Sequence, residues 1–96
     1  MLLKIGTNFD PHQSLRPLLK AVAVVFQVNN EMMIITSLKD REHSPGSKHY
    51  TGQAFDVRTK NLTTVKKQEI LRGIKMAIKG IGKIIDENTH FHIEVK

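Results

Sequence analysis

Five histidines stand in the 96-residue chain, and four of them fall into two close pairs, His43 with His49 and His90 with His92. Asp56 follows His49 by seven residues, across Gly52. That spacing lets a loop imidazole and a strand carboxylate converge on one ion. His92 completes the set if the last strand lies beside the strand that carries Asp56. Two imidazoles and one carboxylate leave a fourth position for water, the ligand pattern of a catalytic zinc site rather than of a closed structural one. Zinc held in this way lowers the pKa of water to about 7, so hydroxide becomes available at neutral pH. Judged on spacing alone, the alternative is four unrelated polar side chains. Cysteine is absent, which excludes disulfides, Cys-ligated zinc and thiol nucleophiles.

The elements that must position these residues can be read from hydrophobic period. Residues 1–13 form an extended or irregular entry. Leu15, Leu18, Leu19, Val22, Val25 and Phe26 recur at helical spacing, which predicts a helix over 14–28 with Ser14 as its cap and Pro17 in its first turn. Asn29 and Asn30 turn the chain, and the apolar run Met32 to Thr36 predicts a buried strand with both methionines in the core. The polar stretch 37–53 is long for a domain of this size, and loops of that length are commonly functional. Residues 54–58 alternate as a strand, with Phe55 and Val57 on one face and Ala54, Asp56 and Arg58 on the other. Thr63 or Thr64 caps a second helix whose buried stripe is Val65, Ile70, Leu71, Ile74, Ala77 and Ile78, and Gly80 or Gly82 ends it. Lys83 to Asp86 forms a further strand. From His90 to Val95 the residues alternate again, with Phe91, Ile93 and Val95 facing one way and His90, His92 and Glu94 the other.

Length and composition bound the function. A chain of 96 residues suits one compact domain, here read as 1–96. The longest apolar run, Ala21 to Phe26, is far shorter than the ~20 residues that span a bilayer, so no membrane insertion is expected. MLLKIGTNFD carries no signal-peptide pattern, which implies synthesis in the cytoplasm. The formal charge of +6 draws anionic partners. However, Lys66, Lys67, Arg72, Lys75 and Lys79 fall where they would form the wet face of a helix, and one Tyr and four Phe give little for base stacking. Nucleic acid is therefore not the expected partner. A solvated basic face is the simpler reading, with electrostatic attraction to an anionic polymer second.

The segment Ser47-Lys48-His49-Tyr50-Thr51-Gly52-Gln53-Ala54-Phe55-Asp56 fits the pattern S-x-H-x-x-G-x-A-x-D at every fixed position. In this the chain resembles the zinc D-alanyl-D-alanine carboxypeptidase and L-alanyl-D-glutamate endopeptidase superfamily, whose structural relative is the hedgehog signalling domain. Ile35-Thr36-Ser37 looks like the strand that enters the family's zinc loop, and Thr89-His90-Phe91-His92-Ile93-Glu94-Val95 looks like its terminal H-x-H strand. The likeness runs from about Met33 to the end of the chain and is nearest to compact phage-encoded members that recycle or lyse bacterial cell wall.

The resemblance implies an α+β fold of two helices packed on one mainly antiparallel sheet, with zinc at the sheet's exposed face. It implies a monomer that hydrolyses a peptide bond in peptidoglycan stem peptides, as a carboxypeptidase or an endopeptidase. The alternative is a catalytically silent zinc-bearing binding module of the same fold. Carried over, the family's zinc ligands fall on His49, Asp56 and His92. His90 then stands beside the metal, where it can bond the developing oxyanion. If His90 were the ligand instead, Glu87 would stand three residues before it, as in relatives with a single closing histidine. The general base is Glu87 or Asp86, with Glu87 preferred. His43 matches a histidine that lines the hedgehog cleft. Arg41, with Lys39 next, would pair with a substrate carboxylate, and Ser47 would orient the loop. Tyr50 is read as loop packing, Glu94 as pairing with a lysine, and His12 as an exposed residue without function.

Overall fold

The computed structural model describes residues 2–3, 13–37 and 53–96. The described residues form, in chain order, β1 (Leu2–Leu3), α1 (Arg16–Val28), β2 (Ile34–Ser37), β3 (Ala54–Arg58), α2 (Thr64–Ala77), β4 (Gly82–Asp86) and β5 (His90–Val95). The strands make one sheet in the order β1-β2-β3-β5-β4. β2, β3, β5 and β4 are antiparallel neighbours, and the two-residue β1 adds a parallel edge. Parallel neighbours need a long crossover, and between β1 and β2 the chain passes through α1. The architecture is thus α+β, with two helices and a mainly antiparallel sheet.

Burial of one sheet face drives the assembly. Leu15, Leu18, Val22 and Phe26 from the α1 region join Ile70, Ile74 and Ile78 from the α2 region. Together they cover Ile35, Phe55, Val57, Phe91 and Ile93 of the sheet. Each large side chain removed from water here contributes on the order of 1.5–3 kcal/mol. On β5, Phe91 and Ile93 are fully buried in this core, so the alternation sends His90, His92 and Glu94 to the opposite face. A one-residue slip would exchange the two sets, so core packing itself aims the histidines.

Several local expectations are corrected. α1 begins after a 3-10 turn, Gln13–Leu15, and its cap is Leu15, with no side-chain cap bond. The Ser14 hydroxyl instead accepts from Gln53 Nε2 at 3.4 Å, tying the start of α1 to the start of β3. Met33 is core, but Met32 is half exposed, and both precede β2, which starts only at Ile34. In α2, Thr63 caps through the Lys66 N–H at 3.2 Å, while Val65 and Ala77 lie outside the buried stripe of Ile70 and Ile74. Lys66 and Lys67 leave the wet face. Lys66 Nζ bonds the Asn29 carbonyl at 3.0 Å and Lys67 Nζ bonds the Asn88 carbonyl at 3.0 Å, so both join tertiary contacts.

Gly82 lies where helix and sheet approach closely. A Cβ there would lie 2.4 Å from Leu18 Cδ2 and 2.9 Å from the Glu94 carbonyl oxygen. Leu18 could move, but the β5 backbone could not without disturbing the ladder. Gly82→Ala is expected to destabilise the fold by roughly 1–3 kcal/mol, the usual cost of overpacking, read as a lower urea midpoint at unchanged slope.

Candidate functional site

The face of the sheet opposite the helices carries the chemistry. β3 and β5 pair in a register that sets Asp56 directly across from His92 and Arg58 across from His90. Paired residues in an antiparallel ladder share a face, so Asp56, Arg58, His90, His92 and Glu94 gather on one surface. This face is not open at its centre: Ala54 and Asp56 are buried along with Phe55 and Val57, because β3 is the middle strand.

Distances bind the cluster together. His92 Nδ1 lies 3.0 Å from Asp56 Oδ1, and His92 Nε2 lies 3.1 Å from Glu94 Oε1. His90 Nε2 sits 3.8 Å from Asp56 Oδ2 and 3.9 Å from Glu87 Oε2. The other His90 nitrogen, Nδ1, meets Thr89 Oγ1 at 3.1 Å. Three carboxylates and two imidazoles thus share one patch of a chain whose net charge is +6. The hydrogen bond to Asp56 raises the pKa of His92 above its ordinary value. Burial opposes it, and the charges of Asp56 and Glu94 add to it.

The turn between β4 and β5 is built from side chains. Asp86 Oδ1 accepts from the Asn88 N–H at 3.0 Å, and Asn88 takes a left-handed φ of 73°. The Thr59 N–H bonds the Thr89 carbonyl at 2.9 Å, so the turn is fastened to the end of β3. Lys67 Nζ lies 3.1 Å from Asp86 Oδ1. Burial alone would push Asp86 up, but the Asn88 N–H and Lys67 outweigh it and hold its carboxyl below the usual range. Asp86 is committed to the turn. Glu87, next along, is half exposed and turned toward His90.

On the other side of β3 the register shifts. Ile35 pairs with Val57 but Ser37 pairs with Asp56, so β2 holds one extra residue. Such a bulge re-aims a side chain, and here it places the buried Ser37 opposite Asp56. Ser37 is the last described residue before the segment that carries Arg41, His43, Ser47 and His49. These four lie outside the described residues, as do Lys39, Tyr50 and His12.

The structure therefore brings together Asp56, His90, His92 and Glu87. Glu94, read from sequence as a lysine partner, does pair with Lys83 at 3.8 Å, but it also holds the second ring nitrogen of His92. Its place on the histidine side of the β5 alternation was the available signal. Among the described residues no three His, Asp or Glu side chains are arranged to hold an ion. The pair that is present suits a metal in donor chemistry. Its 3.0 Å N···O separation is near the about 3.3 Å between ligand atoms on a tetrahedral ion with bonds of ~2.0–2.1 Å. Glu94 on Nε2 stands where a carboxylate would fix the tautomer of a histidine that held a metal.

The raised His92 pKa has a stability consequence. A group whose folded pKa exceeds its unfolded value stabilises fully below the unfolded value, about 6.5, and loses that contribution as pH rises through the folded one. With a chelator present, the melting temperature is expected to fall as pH rises through and above that window. If zinc binds through His92 the trend reverses, because a metal needs the neutral imidazole. Paired thermal melts across the pH series check both signs.

No family model and no curated protein matches the chain. Among the described residues no helix is long and apolar enough to cross a membrane.

Proposed function

We propose that the chain is a zinc peptidase of the hedgehog/DD-peptidase fold that hydrolyses a peptide bond in bacterial cell-wall stem peptides. One observation carries the reading. Asp56 and His92, which the S-x-H-x-x-G-x-A-x-D and H-x-H patterns single out, face each other across β3 and β5 at 3.0 Å. Asp56 and His92 would hold the ion, with His49 as the third ligand from the motif. When bound, zinc supplies Lewis acidity that polarises a peptide carbonyl and acidifies water.

The chain's own groups do the rest. Glu87 accepts a proton from the attacking water and returns it to the leaving amine, the work of a general base that becomes a general acid. The turn fixes where it can do so, since Asp86 and Lys67 brace the backbone beside it. His90 holds its Nε2 between Asp56 and Glu87, where an N–H can bond the oxygen that gains charge in the transition state. Glu94 keeps the His92 ring oriented. The enzyme would act at the bacterial cell wall, in the manner of a phage-encoded lytic or recycling enzyme.

Metal analysis of the zinc-reconstituted protein, joined to mass spectrometry of peptidoglycan digests, tests the proposal. The expected result is one zinc per chain and a single type of cleaved stem-peptide bond. Zinc without any released peptide at any pH would instead favour the silent binding module. Absence of zinc binding would remove both.

A further inference from the structure

Beside His90 the sheet face opens into a cleft of about 170 Å3 lined by Thr36, Arg58, Lys60, Thr89 and His90. Arg58 is half-buried and stands across the ladder from His90. Neither the Arg58 nor the Lys60 side chain has an ion-pair partner among the described residues. Elsewhere around the site the cations are matched: Lys67 meets Asp86 and Lys83 meets Glu94. Two unneutralised cations, flanked by two threonine hydroxyls, therefore border a patch that is otherwise rich in carboxylate. The wall they share with that patch is the His90 ring, whose Nε2 is 3.8 Å from Asp56.

We propose that this cleft is a carboxylate subsite, in which Arg58, aided by Lys60, holds the free α-carboxylate of the residue whose amine is released. This deepens the peptidase reading and rests on it. Both candidate bonds share this feature. In D-Ala-D-Ala the departing residue carries the terminal carboxylate. In L-Ala-D-Glu the stem continues through the γ-carboxyl, so the departing D-Glu keeps its α-carboxylate free. In each case that carboxylate is one carbon from the scissile nitrogen, which suits a cleft sharing His90 with the reacting patch. A planar guanidinium recognises a carboxylate through two parallel N–H bonds, and an amide in its place would leave a donor unmatched. The subsite therefore selects stem peptides with a free α-carboxyl over those in which it is amidated. Arg58 would share the role read from sequence onto Arg41, which lies outside the described residues.

The test uses the full, zinc-loaded chain with L-Ala-D-Glu and N-acetyl-D-Ala-D-Ala, each as free acid and as α-amide. For the cleaved peptide, amidation is expected to lower kcat/KM by about 10- to 100-fold, mainly through KM, as for loss of a charge-assisted hydrogen bond. Arg58→Met should cost the acid about that much and cost the amide far less, and Arg58→Lys should recover part of the loss. Equal hydrolysis of acid and amide, or equal losses on both in Arg58→Met, overturns the subsite while leaving the peptidase reading intact. If neither peptide is cleaved, NMR titration separates the two ideas. Saturable binding of an acid but not its amide, lost in Arg58→Met, upholds the subsite without the peptidase. Binding that ignores Arg58 overturns it.

Discussion

Asp56→Asn is expected to strip the chain of zinc and of turnover together while leaving it folded. The amide keeps the shape of the carboxylate, so core and ladder are undisturbed. What is lost is the charge that both imidazoles face, at 3.0 Å from His92 and 3.8 Å from His90. Outer partners of metal ligands typically change affinity by 10- to 100-fold, so a direct ligand should cost more than about 100-fold. A second readout needs no metal. The bond to Asp56 is the largest influence raising the His92 pKa, so in chelator the variant's His92 should titrate at lower pH than the native residue, followed through its ring protons by NMR. Circular dichroism confirms the fold. Native zinc content and native hydrolysis in this variant would show that Asp56 is only a strand carboxylate.

Much of this site was legible because strand period converts sequence directly into side. From His90 to Val95 every second residue is apolar, and the structure seals Phe91 and Ile93 away while His90, His92 and Glu94 share the other face. The helix stripes around Phe26 and Ile74 were legible for the same reason. What escaped depends on neighbours distant in the chain. The extra residue in β2 that brings Ser37 onto Asp56 exists only relative to β3. Met32 and Met33 are indistinguishable by type, both precede β2, and only tertiary packing buries Met33 and leaves Met32 exposed. Lys66 and Lys67 look like solvated helix cations until the Asn29 turn and the β4–β5 turn come within reach. The duty of Asp86 was closer to the surface of the sequence. Asp two residues before Asn is a side-chain turn signal, and the structure commits the Asp86 carboxylate to that turn.

Glu87→Gln should then lower kcat by roughly 10²–10⁴-fold with zinc still bound. The carboxylate lies 3.9 Å from His90 Nε2 and stands half exposed at the turn, bonded to neither Asp56 nor His92. Its loss should therefore leave the Asp56–His92 pair in place, and metal stoichiometry should stay native. The amide also preserves the turn, which depends on the Asp86 side chain, the Asn88 N–H and the Thr59 N–H rather than on Glu87's carboxylate. KM should change little, because the group acts on a proton that moves only in the transition state. Asp86→Asn provides the contrast. It should lower the melting temperature by weakening the turn and the Lys67 pair, with a smaller loss of turnover. If the two variants exchange these effects, so that Asp86→Asn silences the chain and Glu87→Gln leaves kcat native, the base has been misassigned within the turn. If both retain native kcat, proton transfer does not run through this hairpin.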